Sequence, residues 1–284
     1  MASVIWGTTF SAQSIGAEHM GPFSFNTYRS LLAFILLFII SLVLSLKERK
    51  KIFSLKENKY TCLCGIICGS LLFVASTLQQ LGISYTTVGK SGFLTSLYVL
   101  IVPLLSVFLK EKISLRTWLC VVTVVIGLYF LCLSESSKLN IGDIMTLLCA
   151  LVFSVNILVI DRYSDKIQSL YMSCIQFITF FVLSLLGMII FEHINFTLIK
   201  PALIPLLFAG ILSSGVAYTL QISAQKNTDP VSASLIMSLE SVFALLSGMI
   251  ILKQFMTAKE ILGCVIILLS TMISQLPKGN KSNT

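Results

Sequence analysis

The sequence predicts an all-α polytopic membrane protein: ten transmembrane helices arranged as two inverted five-helix repeats. Three observations carry this. Of 284 residues, 56% are hydrophobic and only 11% charged, against roughly 25% charged in soluble domains. Apolar runs fill nearly the whole chain, each close to the roughly 20 residues a helix needs to cross a bilayer core. Residues 60–133 and 202–276 align at a constant offset of 143.

Taken in order, helices are expected near 1–17, 22–46, 60–83, 86–109, 117–133, 142–162, 168–191, 202–225, 229–252 and 261–276. Polar or proline-marked breaks separate them: Glu18–Pro22, Lys47–Lys59, Lys110–Arg116, Ser134–Ile141, Asp165–Ile167, Glu192–Pro201, Lys226–Asp229 and Lys253–Glu260. The weakest break, at Ser84 and Tyr85, lies between the third and fourth helices. No polar segment exceeds the thirteen residues of Lys47–Lys59, too few for a soluble module. The first helix is short, and aligning Trp6-Gly7 with Phe153-Ser154 of the sixth predicts a chain that begins slightly upstream. No basic segment or small-residue cleavage site precedes the first apolar run, so no cleavable signal is expected.

Alternating the loops with the N-terminus inside gives fourteen Lys and Arg to the inner loops and tail and four to the outer loops: Lys138, Lys200, Lys253 and Lys259. The positive-inside rule then puts both termini in the cytoplasm. It also accounts for the net charge of +8 without nucleic acid as a partner. All eight cysteines lie in apolar runs and read as small buried hydrophobes. The triplet Cys62, Cys64 and Cys68 lacks a nearby histidine and a shared helical face, so no metal or other cofactor is expected.

In the aligned halves Thr87-Val88 falls on Pro230-Val231, Leu109-Lys110-Glu111 on Leu252-Lys253-Gln254, and Ser114 on Thr257. Each half has five spans, an odd number, so the second, 142–276, inserts upside down relative to the first, 1–133. Inverted repeats place substrate sites near the bilayer midplane between the halves.

Several short pieces occur in a telling order. They are Trp6-Gly7, Pro22 with Tyr28-Arg29, and Gly89-Lys90-Ser91-Gly92-Phe93-Leu94-Thr95-Ser96-Leu97-Tyr98 running to Pro103 and Lys110-Glu111-Lys112. In the second half they are Ala224-Gln225-Lys226, Ser232-Ala233 and Ser238-Leu239-Glu240-Ser241-Val242-Phe243-Ala244. Together they resemble the EamA family of the drug/metabolite transporter superfamily, over essentially the whole length. Ser241, where many relatives have proline, and Gln254, where an acidic residue is frequent, depart from the pattern. The resemblance implies a transporter in the cell membrane that exports amino acids, other metabolites or drugs, or in some members imports them.

Charge at membrane depth costs at least about 2.5–3.5 kcal/mol per residue, so each instance calls for a reason. Glu240 sits mid-way along the ninth helix, as a substrate-amine or proton site or as a hydrogen-bond partner of a neighbouring helix. At the offset of 143 it matches Leu97, seven residues from Lys90 and so on the same face. That points Lys90 to the same interior as an anion-attracting group, in a charged cavity rather than a tight bridge; the alternative is a lysine that snorkels outward to the interface. Arg29 is assigned either structure, pairing with backbone carbonyls or Glu18, or substrate contact. Gln79 and Gln80 on the third helix, and Gln221 and Gln225 on the eighth with Tyr218 a turn away, can line a wet path or bond between helices. Trp6, Tyr98 and Asn156 are further candidate lining groups. Gly65 and Gly69 form a small-xxx-small pair for close helix approach. Pro103 is a candidate hinge.

Other function classes fare worse. No paired intramembrane aspartates and no HExxH occur, and Asn140-Ile141-Gly142-Asp143 only resembles an aspartyl-protease fragment, so no enzyme is expected. Without a P-loop, energy must come from an ion gradient, with the proton a possible partner, or from substrate exchange. The expectation is a secondary-active transporter, an exporter of small polar metabolites such as amino acids. An importer, an exchanger without proton coupling and a non-transport membrane subunit stay open, as does a monomer or homodimer.

Overall fold

A computed structural model describes residues 1–48, 59–132, 140–192, 199–251, 253 and 257–276. Lys138, Gln254 and most of the basic inner loop (49–58) lie outside the described residues. Among those described the regular structure is entirely helical. In our numbering α1 is Ala2–Ala17, α2 Pro22–Glu48, α3 Lys59–Ile83, α4 Val88–Phe108 and α5 Leu115–Cys132. They are followed by α6 Ile141–Tyr163, α7 Ser169–Phe191, α8 Ile199–Gln225, α9 Pro230–Ile251 and α10 Ala258–Gln275. Eight of these are long and apolar enough to cross a membrane. The exceptions are α1, with 16 residues, and α5, apolar only over Leu115–Leu131.

Polarity is distributed as a bilayer demands. Ile35, Ile39, Leu42 and Leu46 recur at helical spacing on α2 and are exposed, while Asn26, Arg29 and Ser30 on the same helix are buried. On α10, Leu262, Val265, Leu269 and Met272 face outward and Ser270 and Thr271 inward. Lipid solvates the aliphatic face, and the polar groups turn inward, away from hydrocarbon.

The sequence sets the helix starts by capping, which supplies acceptors for orphan N–H groups. Thr87 caps α4 at the N–H of Lys90, and Asp229 caps α9 at Ser232 with Pro230 in the first turn. Asn140 with Asp143, and Thr257 with Glu260, form capping boxes on α6 and α10. The start of α2 is capped from another helix: Glu192, just past α7, accepts from the N–H groups of Phe23 and Ser24, both at 2.8 Å. Lys110 and Lys253, which follow α4 and α9, have positive φ angles of 67° and 55°. Both close their helices as left-handed caps.

Three helices are not uniform rods; in α9 the winding is interrupted at Ser238, between Pro230–Met237 and Leu239–Ile251. In α4 the winding is interrupted at Leu97, whose N–H turns back to Leu94. Pro103 itself, expected as the kink, lies six residues further on inside a continuous helix. In α8 a ten-residue stretch, Phe208–Ala217, winds as a π-helix after Pro205. Its wide turns bring Gly210 against α2, where an added Cβ would stand 3.0 Å from the Arg29 carbonyl.

The main packing partners are α1 with α9 and α8, α2 with α7 and α8, α3 with α6 and α7, α4 with α6 and α9, and α5 with α10. The expected glycine pair does sit at a close approach. A Cβ on Gly65 would lie 2.7 Å from that of Ile175, and one on Gly69 would lie 2.5 Å from the carbonyl oxygen of Gln176 on α7. Overpacking of this kind costs about 1–3 kcal/mol. Gly69→Val should therefore lower the thermal unfolding midpoint of detergent-purified protein, whereas Ser70→Val, one position round the helix, should leave it nearly unchanged.

Candidate functional site

Helices α1, α2, α3, α4, α6, α8 and α9 converge on a cavity with about 520 Å³ of empty space, part of it open. Of the residues expected from sequence, it is lined by Trp6, Arg29, Gln79, Tyr98, Asn156, Tyr218, Gln221 and Glu240. Glu240 is the eleventh residue of α9 and Tyr98 the eleventh of α4, so mid-helix residues of both spans meet in the interior.

Close backbone approach is what lets α1 share this site with α9. Gly7 packs on Phe243, and an added Cβ would stand 2.6 Å from the carbonyl oxygen of Glu240. Ser3 donates to the Ile236 carbonyl at 3.0 Å, and Ser11 and Ser247 share a hydrogen bond at 3.0 Å. Trp6, Thr9, Phe10 and Gln13 then recur at helical spacing along the cavity wall. The ring of Trp6 meets that of Tyr218, their centroids 4.9 Å apart.

Amides around the cavity are largely engaged by protein. Gln13 donates to Gln79 at 3.0 Å, Gln79 to Thr95 at 3.3 Å, and Gln80 to the Gln13 carbonyl at 3.0 Å. These tie α1, α3 and α4 together. Asn156 donates to the Cys68 carbonyl at 3.3 Å, Gln221 to Gln225 at 3.0 Å, and Gln225 to the Ile157 carbonyl at 3.1 Å. Gln80 and Gln225 thus brace helices and do not line the cavity.

The two charged residues are different. Glu240 is 5% exposed, and its Oε1 has no hydrogen bond. The hydroxyls of Ser96 and Tyr98 stand beside the carboxylate yet lie outside hydrogen-bond geometry. Arg29 is 3% exposed, its Nε is without a partner, and its guanidinium lies over the Phe180 ring at 5.5 Å. It does not pair with Glu18, which is exposed at the end of α1.

Lys90 is placed elsewhere. It is buried, its Nζ donates to Asp143 Oδ2 at 2.6 Å, and it is absent from the cavity wall. Asp143 also accepts from the Asn140 N–H at 2.9 Å and from Thr86 at 3.0 Å. The register explains the difference from expectation. The caps Thr87 and Asp229 are 142 positions apart, and so are the cavity pairs Gln79 and Gln221, Thr95 and Met237, and Tyr98 and Glu240. Lys110 and Lys253 keep the offset of 143, because α9 is one residue longer than α4. Glu240 therefore corresponds to Tyr98, eight residues from Lys90, and eight residues rotate a side chain by about 80° from a shared face.

Sequence reasoning missed Thr9, Phe10, Gln13, Thr95, Phe153, Ile157, Ser213 and Met237, all on the cavity wall. A signal existed for some of them. Gln13 lies two turns from Trp6, and the Trp6–Phe153 alignment carries Thr9 onto Asn156 and Phe10 onto Ile157.

A family model described as the EamA-like transporter family matches residues 1–133 and again residues 140–275. An uncharacterized transporter of Archaeoglobus fulgidus is 32% identical over 277 residues, covering 97% of this chain and 84% of the relative. The uncharacterized transporter YoaV of Bacillus subtilis is 26% identical over 93% of this chain and 91% of its own length. A solved crystal structure superposes with a TM-score of 0.75 at 16% identity, covering 97% of this chain and 96% of that one. That last likeness speaks for the fold alone.

Removing one partner of a buried ion pair costs about 3–5 kcal/mol, because the other charge is left uncompensated. Lys90→Met should therefore destabilise purified protein more than Lys90→Met combined with Asp143→Asn, whose side-chain oxygen can still accept from the Asn140 N–H while the stranded charge is gone. Thermal unfolding of the two variants beside wild type measures the difference. Equal losses would mean that the pair contributes nothing.

Proposed function

This chain belongs to the EamA-like transporter family, and we propose that it is a secondary-active exporter of small polar metabolites such as amino acids. In this reading ten helices span the membrane as two inverted repeats, 1–133 and 142–276, with both termini cytoplasmic. The substrate site is the cavity between the repeats. The observation that carries the proposal is Glu240: a carboxylate midway along a membrane span, buried, short of a hydrogen-bond partner and facing a cavity. Such a group at that depth marks a substrate or ion path.

The packing supports the repeat reading. Exchanging the first five helices for the last five turns α1–α9 into α6–α4, α3–α6 into α8–α1, and α3–α7 into α8–α2, and each of these pairs is present. The family model's two successive matches point the same way.

Trp6, Gln79, Tyr98, Asn156, Tyr218 and Gln221 form the wall that a substrate touches, and Glu240 holds either a proton or a substrate ammonium group. Because one carboxylate cannot hold both, proton entry displaces the substrate, and that exclusion couples export to the proton gradient. Lys90 clasps Asp143 at one end of the site rather than binding substrate. The interruption at Leu97, with Pro103 beyond it, is where α4 bends during alternating access.

Purified protein in liposomes, offered pooled metabolites with and without a pH gradient, should show gradient-stimulated transport of at least one zwitterion. Glu240→Gln should abolish the pH dependence and reduce the rate more than tenfold. An unchanged rate and pH response in that variant would remove Glu240 from the mechanism.

A further inference from the structure

We propose that Arg29 is the carboxylate-binding residue of the cavity, so that the transported molecule carries both a carboxylate for Arg29 and an ammonium group for Glu240. This rests on the reading of the cavity as the transport site.

The inference comes from what is left unsatisfied. Gln79, Asn156 and Gln221 are already bonded to protein, which reduces what they offer a ligand. Lys90, the other buried cation among the described residues, is held by Asp143 at 2.6 Å. Arg29 has no carboxylate among the described residues within ion-pair distance, and its Nε is orphaned. Its contact with Phe180, at 5.5 Å, occupies one face of the guanidinium. The N–H donors lie in the guanidinium plane, so face-on stacking leaves the edge for a planar anion, and a carboxylate matches that fork in bidentate fashion.

Arg29 and Glu240 do not pair with each other, although both line the same cavity. Tyr218 and Cys149 lie within electrostatic range of both, so the two charges flank a shared space. A ligand with a single charge would neutralise one of them and strand the other in a low-dielectric site. A zwitterion neutralises both at once. The rings of Trp6 and Tyr218 supply an apolar wall for the rest of the molecule. The chemistry named, a carboxylate and an ammonium group on one small molecule, is shared by free amino acids and by the two ends of short peptides.

The test uses reconstituted full-length protein. Counterflow is measured for each proteinogenic amino acid, and the best probe is compared with its amide, its 2-hydroxy acid and a dipeptide made from it. Thermal stabilisation of detergent-purified protein by the same probes reports binding separately from transport. Wild type should prefer the amino acid over both the amide and the hydroxy acid by at least about tenfold, the cost of stranding one buried charge. Arg29→Gln should erase the preference over the amide and keep that over the hydroxy acid; Glu240→Gln should do the reverse. Arg29→Lys should restore part of the carboxylate preference, which a merely structural role for the arginine would not produce. A dipeptide that matches the amino acid supports the same chemistry with peptide as its source.

Equal handling of amino acid and amide by wild type, or a preference that survives Arg29→Gln in a folded variant, overturns the assignment of Arg29 while transport stands. Selective stabilisation without counterflow keeps Arg29 and sinks the transport reading. Neither stabilisation nor counterflow by any probe overturns both.

Discussion

An ionised side chain inside a bilayer must be paired, hydrated or moved to the surface, because hydrocarbon offers it nothing. Much of this molecule follows from how it meets that constraint. Lys90 and Asp143 solve it by pairing, with Thr86 and Asn140 completing the shell around the carboxylate. Arg29 and Glu240 are left facing a cavity. A fold that only needed to be stable would neutralise the second pair as it does the first. The contrast gives one ion pair an architectural role and leaves Arg29 and Glu240 without a counter-ion among the described residues.

The architecture delivers those charges through small residues and interrupted helices. Gly7 lets α1 lie against the backbone of α9 at Glu240, and Gly210, in the π-wound part of α8, lets α2 approach at Arg29. Departures from regular winding at Leu97, at Ser238 and over Phe208–Ala217 fall on three helices that also line the cavity. Irregular backbone at membrane depth is tolerated only where protein or a polar cavity surrounds it. These features therefore belong to the same site as the charges.

Much of this was legible in the sequence. Length and hydropathy locate the spans, since a membrane helix must be long and apolar whatever its partners. Intramembrane polar residues such as Glu240, Gln79 and Gln221 stand out against that background, and the structure brings them to one cavity. The register within α4 and α9 was not legible. The few polar residues at their centres do not match one another in a single register, so an offset of 142 scores no worse than 143, and that single position moved Lys90 from the cavity to a clasp with Asp143. Asp143 stands out only within the Asn140-Ile141-Gly142-Asp143 stretch, and nothing in the sequence shows that its carboxylate both accepts from the Asn140 N–H and pairs with Lys90. The π-winding of α8 leaves no periodic trace in so apolar a stretch, and Ser213 went unnoticed with it.

The central claim is that the cavity serves both sides of the membrane in turn. A single cysteine at Ser213, in protein otherwise stripped of cysteines, reports this most directly. A charged thiol reagent that cannot cross the bilayer is added first to one face and then to the other. Alternating access predicts modification from both faces, slowed from each by a transported zwitterion. Modification from one face only, or from neither, would contradict it.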